Sequence, residues 1–334
     1  MALNDNARGP IRVAVCVAAL LSLIAAEAWG QAAWRPEKAV EIIVPTGAGG
    51  TNDQMARLIQ KTLQEQKLIS VPAVTVNKAG GNQSLAVVYL NQHPADPHYL
   101  LYSTATIFTN QIAGLTPQHY SELSPLALLL VDYTVITVKM DSPIKGMRDL
   151  ADRLKTDPES IAFGLVSHGG PNHLALAQAV KSAGVDPRKL KLVVFKTNAQ
   201  SMTTLMGGHI QAVVSSVSAA MPQAEAGNTR ILAIAAPKRQ AGKLANLPTM
   251  REQGINATGI SNWRGVFGAK GLTAAQAAAW SEMLGKVVLT DDWKNQLEAN
   301  NVASNFLAGR EFAKWLAAEY EDTRAVMSDL GLAK

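Results

Sequence analysis

The chain has 334 residues, of which 48% are hydrophobic and 17% are charged, and its formal net charge is +5. This composition is globular and supplies ample material for the core of one large domain or two medium domains. The sequence has no long basic block and no cluster of arginine and aromatic residues, which argues against a nucleic-acid-binding protein.

The N-terminus has the features of a secretory signal peptide. Arg8 and Arg12 precede an apolar run over residues 13–26, and residues 26–28 have the small-x-small pattern of a signal peptidase site. The run is short for a membrane span, although a membrane-anchoring helix is the alternative. Removal of residues 1–28 would also remove the only cysteine, Cys16, so we expect no disulfide, thiol catalysis or cysteine-bound metal in the secreted chain.

Strands and helices alternate along the first part of the secreted chain. Met55, Ile59 and Leu63 recur at helical spacing, and Thr51 or Asn52 is expected to cap the helix that contains them. This alternation is typical of a parallel sheet with helices on its faces. The predicted strands cover residues 40–44, 74–77 and 99–103, and the predicted helices cover residues 53–66 and 83–90.

A stretch rich in leucine and β-branched residues, 126–139, is longer than an ordinary strand. One explanation is a strand that crosses between two domains, with residues 260–269 as the candidate return crossing. The sequence therefore predicts two α/β lobes, formed by residues 33–133 with 252–334 and by residues 134–251. The second lobe has predicted strands at 161–166, 190–195, 210–215 and from 230, and helices at 171–183 and 199–206; residues 273–332 are predicted to be helical.

A glycine-rich turn follows the first predicted strand. It reads Gly47-Ala48-Gly49-Gly50, but it lacks the lysine of a P-loop, and Asn52 stands where the dinucleotide fingerprint needs its third glycine. We therefore expect no nucleotide at this turn and no other cofactor in the protein.

A second glycine turn contains Ser167, His168 and His173. Leu165 stands where the nucleophile elbow of a hydrolase needs glycine, and the two histidines are five residues apart without the glutamate of a zinc-protease motif. The sequence therefore predicts neither an enzyme nor a metal site here. A secreted hydrolase that uses Ser167 and His168 is kept as the alternative.

Both turns end a strand and begin a helix, and Pro171 suits the first helical position. The free backbone N–H groups and the positive end of a helix dipole form an anion site without a basic side chain. The alternative is that the glycines only permit tight turns. Two such turns in one secreted protein favour a ligand cleft.

The order of these motifs resembles the periplasmic solute receptors of tripartite tricarboxylate transporters, also called Bug receptors. The family's loop, Pro-x-x-x-Gly-Gly-x-x-Asp-x-x-Ala-Arg, is matched from Pro45 to Arg57, and its second loop is matched around His173. The segments LMGGHIQAVVSS, KLANLPTMREQG and NWRGVFGAKGLT are similar to later family motifs. The resemblance covers essentially the whole secreted chain and implies a type II periplasmic-binding-protein fold, with two lobes, hinge strands between them and a helical C-terminal region.

The resemblance also implies a function. A small carboxylate or related organic anion is expected between the lobes, with one carboxylate held by main-chain groups and ordered waters of residues 46–53 and 167–173. The expected protein is a periplasmic monomer that is not an enzyme and that serves membrane transporter subunits; a membrane signalling partner is the alternative. The candidate ligand-binding residues are Thr46, Ala48, Gly49, Gly50, Thr51, Asp53, Ser103, Thr104, Ser167, Gly169, Gly170, His173, Asn198 and Ser215.

Several of these residues have alternative roles. Asp53 is expected to cap the helix, to accept loop N–H groups and to pair with Arg57, four residues later. His173 is expected either to contact the ligand or to pack within its helix. Trp263, near the return crossing, is expected either to report closure by its fluorescence or to pack in the core. Departures from the family pattern, such as Gly170 for serine and Ser215 for aspartate, leave the identity of the ligand open.

Overall fold

The computed structural model describes residues 34–195, 197–257 and 260–334. The predicted signal peptide, residues 1–28, lies outside these residues, as does residue 33 at the start of the predicted first lobe. Residues Pro36–Lys334 form one unit. Within the described residues, no helix has the length and apolar character needed to cross a membrane.

Strands and helices alternate up to Asp132, as the sequence predicts. The first strand lies in parallel register between the next two, with Ile42 opposite both Thr75 and Leu100. Apolar side chains dominate these strands because helices cover the sheet. The elements are β1 (Val40–Val44), α1 (Thr51–Glu65), β2 (Ala73–Asn77), α2 (Ser84–Asn91), β3 (Tyr99–Thr104), α3 (Thr106–Ile112) and β4 (Ser124–Asp132).

The first helix differs from the prediction at its N-terminus. Met55, Ile59 and Leu63 form its buried face as expected, but the helix begins at Thr51 and its N-cap is Gly50. Neither Thr51 nor Asn52 is therefore the N-cap. Among the described residues, no side chain at the N-cap position accepts a hydrogen bond from the N–H groups of the first turn. The glycine turn continues directly into the helix, and because the first intrahelical bond runs from the Gln54 N–H to the Gly50 carbonyl, the free N–H groups begin at Gly50.

The long apolar stretch forms two strands in different sheets. β4 ends at Asp132 in the first sheet, and β5 (Thr134–Lys139) begins two residues later in the second sheet. The chain therefore passes between the sheets at Tyr133, as the length of the stretch predicts. Tyr133 is 5% exposed, so the crossing itself is buried.

The second sheet has the strand order β7 (Lys191–Val194), β6 (Ala162–Leu165), β8 (Ala212–Ser216), β5, β9 (Thr229–Ile234). β6 is parallel to β7 and β8, whereas β5 is antiparallel to β8 and β9. Gly184 follows the helix that starts at Pro171 and has φ +85°, which fits the predicted C-terminal stop. The elements are α4 (Met147–Thr156), β6 (Ala162–Leu165), α5 (Pro171–Ser182), β7 (Lys191–Val194), α6 (Asn198–Met206), β8 (Ala212–Ser216), α7 (Val217–Glu225) and β9 (Thr229–Ile234).

The last part of the chain returns to the first sheet, whose strand order is β11 (Ala303–Ala308), β4, β10 (Asn262–Gly268), β3, β1, β2. The predicted return crossing at residues 260–269 is mostly β10, which lies wholly within this sheet, so the passage back precedes Asn262. The region predicted to be helical is interrupted by β11, which pairs with the free edge of β4. The elements are β10 (Asn262–Gly268), α8 (Ala274–Val288), α9 (Asp291–Ala299), β11 (Ala303–Ala308) and α10 (Gly309–Asp329).

Trp263 packs in the core of the first lobe. Its side chain is 0% exposed, and its ring lies 5.3 Å from Phe108, 6.0 Å from Phe267 and 6.4 Å from Phe312, centroid to centroid. This placement favours the packing role over the role of a closure reporter. α10 contacts both β4 and α5, and Lys181 pairs with Asp329. The C-terminal helix therefore touches both lobes.

Candidate functional site

A cavity of about 290 Å³ lies between the two sheets, and one face of the first sheet forms part of its wall. Arg264 on β10 lies opposite Thr104 on β3 and Leu130 on β4, and Asn262 lies opposite Asp132. Because side chains alternate along a strand, Tyr102, Leu130, Asp132 and Arg264 share this face. All four line the cavity.

Helices from both lobes complete the cavity. α1 and the region of α9 contribute from the first lobe, whereas the first turns of α6 and α7 contribute from the second. A molecule in this space would therefore contact both lobes at once. The lining residues outside the sheet are Thr51, Met55, Leu297, Asn300, Val302, Asn198, Ser218 and Ala219.

Arg264 is held in place by four hydrogen bonds. Its Nε donates to Asn52 Oδ1 at 2.9 Å, and its Nη1 donates to Asn262 Oδ1 at 2.7 Å. Nη1 also donates to the carbonyl oxygens of Asn262 and Trp263 at 3.1 and 3.0 Å. Among the described residues, Nη2 has no hydrogen-bond acceptor. The guanidinium is thus oriented and still has an unused donor.

Tyr102 and Asn198 place further unpaired polar atoms beside the cavity. The Tyr102 hydroxyl and Asn198 Oδ1 are buried, and neither has a hydrogen-bond partner within the described part of the chain. Burial raises the pKa of Tyr102, so its hydroxyl stays protonated and is available as a donor. An unsatisfied buried polar group costs about 1–3 kcal/mol, which makes both atoms candidates for ligand contact.

Asp132 forms a contact between the lobes. The backbone N–H and the hydroxyl of Ser218, in the first turn of α7, donate to its two carboxylate oxygens at 3.3 and 2.6 Å. Burial raises the pKa of Asp132, and the bonds from Ser218 act in the opposite direction. The carboxyl group of Asp132, in the first sheet, therefore accepts a hydrogen bond from a free N–H in the first turn of a helix in the second lobe. This bond lies directly beside the crossing at Tyr133.

The first glycine turn is held by Asp53. Gly49 has φ +84°, and its N–H donates to Asp53 Oδ2 at 2.9 Å. Arg57 Nε and Asn77 Nδ2 also donate to this carboxylate, each at 2.9 Å. The bond from Arg57 is the largest cause that lowers the pKa of Asp53, to about 2. Asp53 therefore accepts a loop N–H and pairs with Arg57 as expected, but it does not cap the helix, because the N-cap of α1 is Gly50 and, among the described residues, no side chain bonds there.

The second glycine turn is held by His173. Gly169 has φ +75°, and its N–H donates to His173 Nδ1 at 3.0 Å. Burial lowers the pKa of His173 to about 4, and the nearby His168 acts in the same direction. His173 is therefore neutral at pH 7, and because Nδ1 accepts a bond, the ring proton lies on Nε2.

The predicted site residues are distributed over several places. Thr51 and Asn198 line the cavity, whereas the hydroxyls of Ser103, Thr104 and Ser215 are buried and bonded within the protein. The remaining predicted contacts lie in the two glycine turns and are not among the described residues that line this cavity. They are Thr46, Ala48, Gly49, Gly50, Asp53, Ser167, Gly169, Gly170 and His173.

The second turn does not have the geometry expected of a hydrolase. Ser167 is exposed, and within the described residues its hydroxyl makes no hydrogen bond to His168 or His173. The rings of the two histidines are 4.5 Å apart. The described residues contain no cluster of histidine, cysteine and acidic side chains that could hold a metal ion.

Tyr102, Asp132, Ser218 and Arg264 were not predicted as site residues. Arg264 had a detectable signal, because it is a single charged residue in the apolar strand sequence NWRGVFG. Asp132 had a similar signal at the end of the apolar run SPLALLLVD. Their proximity to Tyr102 follows from the position of β10 between β3 and β4, which no local pattern indicates.

Residues 55–332 match the model of the family described as "Tripartite tricarboxylate transporter family receptor". The chain belongs to this receptor family. The match confirms the resemblance seen in the motifs, and the family comprises periplasmic solute-binding receptors rather than enzymes.

Curated relatives of this receptor cover most of its length. The "UPF0065 protein in gbd 5'region" of Cupriavidus necator is 24% identical over 319 residues, which is 95% of this chain and 94% of that protein. Protein BugT of Bordetella pertussis is 27% identical over 244 residues, which is 71% of this chain and 72% of that protein.

Solved structures confirm the two-lobed fold. A TctC solute-binding protein from Polaromonas, without ligand, has a TM-score of 0.79 at 24% identity and covers 88% of this chain and 99% of its own. An R. palustris protein with adipate has a TM-score of 0.72 at 23% identity, with 89% and 99% covered. MatC from Rhodopseudomonas palustris with bound malate has a TM-score of 0.66 at 20% identity, with 87% and 99% covered. At these identities the likeness concerns the fold alone.

Proposed function

We propose that this receptor binds a small carboxylate or related organic anion between its lobes and delivers it to a tripartite tricarboxylate-type membrane transporter. The observation that carries the proposal is the cavity between the two sheets, which Thr51 and Arg264 line from the first lobe and Asn198 and Ser218 from the second. A ligand that contacts both lobes favours the closed arrangement by its differential affinity.

The proposal includes the arrangement of the lobes and the location of the protein. Residues 33–133 with 252–334 form the first lobe, and residues 134–251 form the second. The protein works in the periplasm as a monomer after removal of residues 1–28. Closure is a hinge motion about the crossing at Tyr133 and the return before Asn262.

The two glycine turns are part of the proposed site. Their N–H groups and the positive ends of α1 and α5 suit a carboxylate or the waters that bridge to one. The solved structures with adipate and malate support an acidic ligand, because those proteins share this fold. The fourteen candidate residues of the sequence analysis therefore remain proposed contacts or supports of the ligand.

Thermal unfolding of the purified protein against a ligand panel tests the proposal. The panel contains mono-, di- and tricarboxylates, aromatic acids and amino acids, with the matching neutral amides as controls. A ligand at a hundred times its dissociation constant stabilises the folded state by about 2.7 kcal/mol, which shifts the midpoint visibly. We expect a shift with one class of carboxylate and none with its amide. A folded sample that responds to no anion would contradict the proposal.

Delivery to a transporter is tested separately in cells. Deletion of the gene should abolish high-affinity uptake of the radiolabelled ligand, and expression of the intact gene should restore it. Unchanged uptake in the deletion strain, with binding intact in the purified protein, would contradict the transport role and leave the binding role in place.

A further inference from the structure

We propose that Arg264 and Tyr102 form a side-chain subsite for the acidic group of the ligand. This inference rests on the proposed function, because it assigns a part of the same cleft. It adds a cationic anchor to the two glycine turns, and it restricts the class of ligand.

The sheet register brings the two side chains together. Arg264 lies opposite Thr104, and Tyr102 lies two residues before Thr104 on the same face of β3. Residues in this diagonal relationship lie about 7–8 Å apart at their Cα atoms, within reach of long side chains. Both side chains line the same cavity of about 290 Å³.

Their donors are unused and fixed in place. Asn52, Asn262 and the Trp263 carbonyl hold the Nε and Nη1 groups of Arg264, so Nη2 is left to face a ligand without loss of rotamer freedom. The Tyr102 hydroxyl is buried and has no acceptor among the described residues. A carboxylate oxygen at this place would satisfy both donors with charge-assisted hydrogen bonds.

Burial raises the pKa of the neighbouring Asp132, and the positive charge of Arg264 acts in the opposite direction, so the two groups interact through space. Asp132 lines the same cavity, but its two oxygens accept bonds from the N–H and hydroxyl of Ser218. Arg264 and Asp132 form no ion pair within 4.0 Å in the described part of the molecule. The available donors at Arg264 and Tyr102 therefore suit an anion rather than an ammonium group.

The rest of the cavity restricts the body of the ligand. Met55, Leu130, Leu297 and Val302 line it with apolar surface, which suits a short aliphatic chain. Asn198 Oδ1, which reaches the cavity from the second lobe, lacks a donor among the described residues. A hydroxyl group on the ligand would supply that donor. The geometry therefore points to a short aliphatic hydroxycarboxylate.

The test measures binding of three probes to the full protein and to variants by isothermal titration calorimetry. The probes are malate, succinate and malamide, because succinate lacks only the hydroxyl and malamide lacks only the charges. We expect the unmodified protein, called the parent below, to bind malate at least about tenfold more tightly than malamide. We expect it to bind malate several-fold more tightly than succinate.

The variants separate charge from hydrogen bonding. Arg264→Gln should weaken malate binding by about tenfold to a hundredfold and remove most of the preference over malamide. The malate affinity of Arg264→Lys should lie between those of the unmodified protein and Arg264→Gln. Lysine keeps the positive charge but lacks the several N–H donors of the planar guanidinium. Tyr102→Phe should weaken malate binding by about fivefold to tenfold, since it removes one hydrogen bond to a charged group.

Two controls keep the test interpretable. Arg310→Gln removes the same charge from an exposed position at the start of α10, outside the cavity, and should leave malate affinity unchanged. Tyr102→Phe removes only an unpaired hydroxyl, so it should stay folded even if the Arg264 variants do not. Each variant is checked by circular dichroism before titration.

The outcomes distinguish the two proposals. If the parent binds malate or succinate, and folded Arg264→Gln and Tyr102→Phe bind them equally well, the subsite is wrong while the receptor function stands. If malamide binds to the unmodified protein as tightly as malate, the assignment to an anion is also wrong. If the parent binds no carboxylate of any class, the receptor proposal fails and the subsite fails with it.

Discussion

The two glycine turns of this receptor have nearly the same backbone but different chemistry. Gly49 and Gly169 both have positive φ, and the following Gly50 and Gly170 both have ψ 169° as the N-caps of α1 and α5. The Gly49 N–H donates to Asp53 and the Gly169 N–H donates to His173, so in each turn the acceptor side chain lies four residues after the donor. One loop geometry therefore recurs in the two lobes.

The acceptor differs between the turns. Asp53 is anionic and is paired with Arg57, whereas His173 is neutral and buried. A carboxylate in the first turn of α1 offsets the positive end of that helix, while a neutral imidazole leaves the end of α5 uncompensated. The comparison teaches that the backbone needs only an acceptor at this position.

Removal of the acceptor in the second lobe should have the largest effect. His173→Ala leaves the Gly169 N–H without its partner and opens a cavity at a buried position, so we expect a loss of about 2–4 kcal/mol in unfolding free energy. Chemical denaturation measures the loss. His173→Gln, which retains an acceptor, should lose less. Equal losses in the two variants would show that packing, rather than the bond to Gly169, stabilises the turn.

The two turns should also lose stability in different pH ranges. The pKa of His173 is lowered from 6.5 to about 4, so the unfolded state binds a proton that the folded state does not, and stability falls as the pH drops from 6.5 to 4. The size is roughly 3 kcal/mol at the acidic limit. The pKa of Asp53 is lowered from 3.8 to about 2, so its contribution is lost only below pH 3.8.

Glu319 also changes the stability of the protein with pH, so the effect of His173 must be measured as the difference between the unmodified protein and a His173 variant. Burial raises its pKa from 4.5 to about 7, although Ser261 donates two bonds to it, and the nearby Asp322 adds to the rise. Its stabilising effect is complete below pH 4.5 and is lost as the pH rises to 7, which opposes the effect of His173. The unfolding free energy of the parent minus that of His173→Gln should therefore decline from pH 6.5 to 4. A constant difference would contradict the prediction.

Neutralising the acceptor in the first lobe should have a moderate effect. Asp53→Asn keeps an oxygen for the Gly49 N–H but removes the charge that pairs with the half-exposed Arg57, so we expect a loss of about 1–2 kcal/mol at pH 7. Chemical denaturation at pH 7 and at pH 3 measures it. The loss should shrink at the lower pH. A loss that is the same at both values would mean that the charge of Asp53 contributes nothing.

The glycines themselves should give the smallest effects. Gly49→Ala and Gly169→Ala should each cost about 1 kcal/mol, because a side chain disfavours positive φ even though an added Cβ would face open space at Gly49 and only van der Waals contact with Leu332 at Gly169. Thermal unfolding compares them with Gly47→Ala, which also faces open space but lacks a positive φ. If Gly47→Ala costs as much as the other two, backbone conformation is not the cause.

The sequence predicted those parts of the site that depend on near neighbours. Both turns could be identified because glycines at each one follow a predicted strand and precede a predicted helix within a few residues. β11 was missed because it lies between helices in a region of helical composition and forms only by pairing with β4. The Tyr102 and Arg264 pair could not be predicted because it depends on the register of β3 and β10, which are far apart in the chain.

The bond between Asp132 and Ser218 lies beside the crossing at Tyr133, where the proposed hinge axis passes. The bond is therefore close to that axis. β1 lies three strands from β4, and β6 lies two strands from β5, so the glycine turns are about 14 Å and 10 Å further from that axis. A rotation that separates the turns by several ångströms would barely stretch the bond. A hydrogen bond so close to the proposed hinge axis would resist sliding of one lobe along the other. It would offer little resistance to rotation of the lobes about that axis.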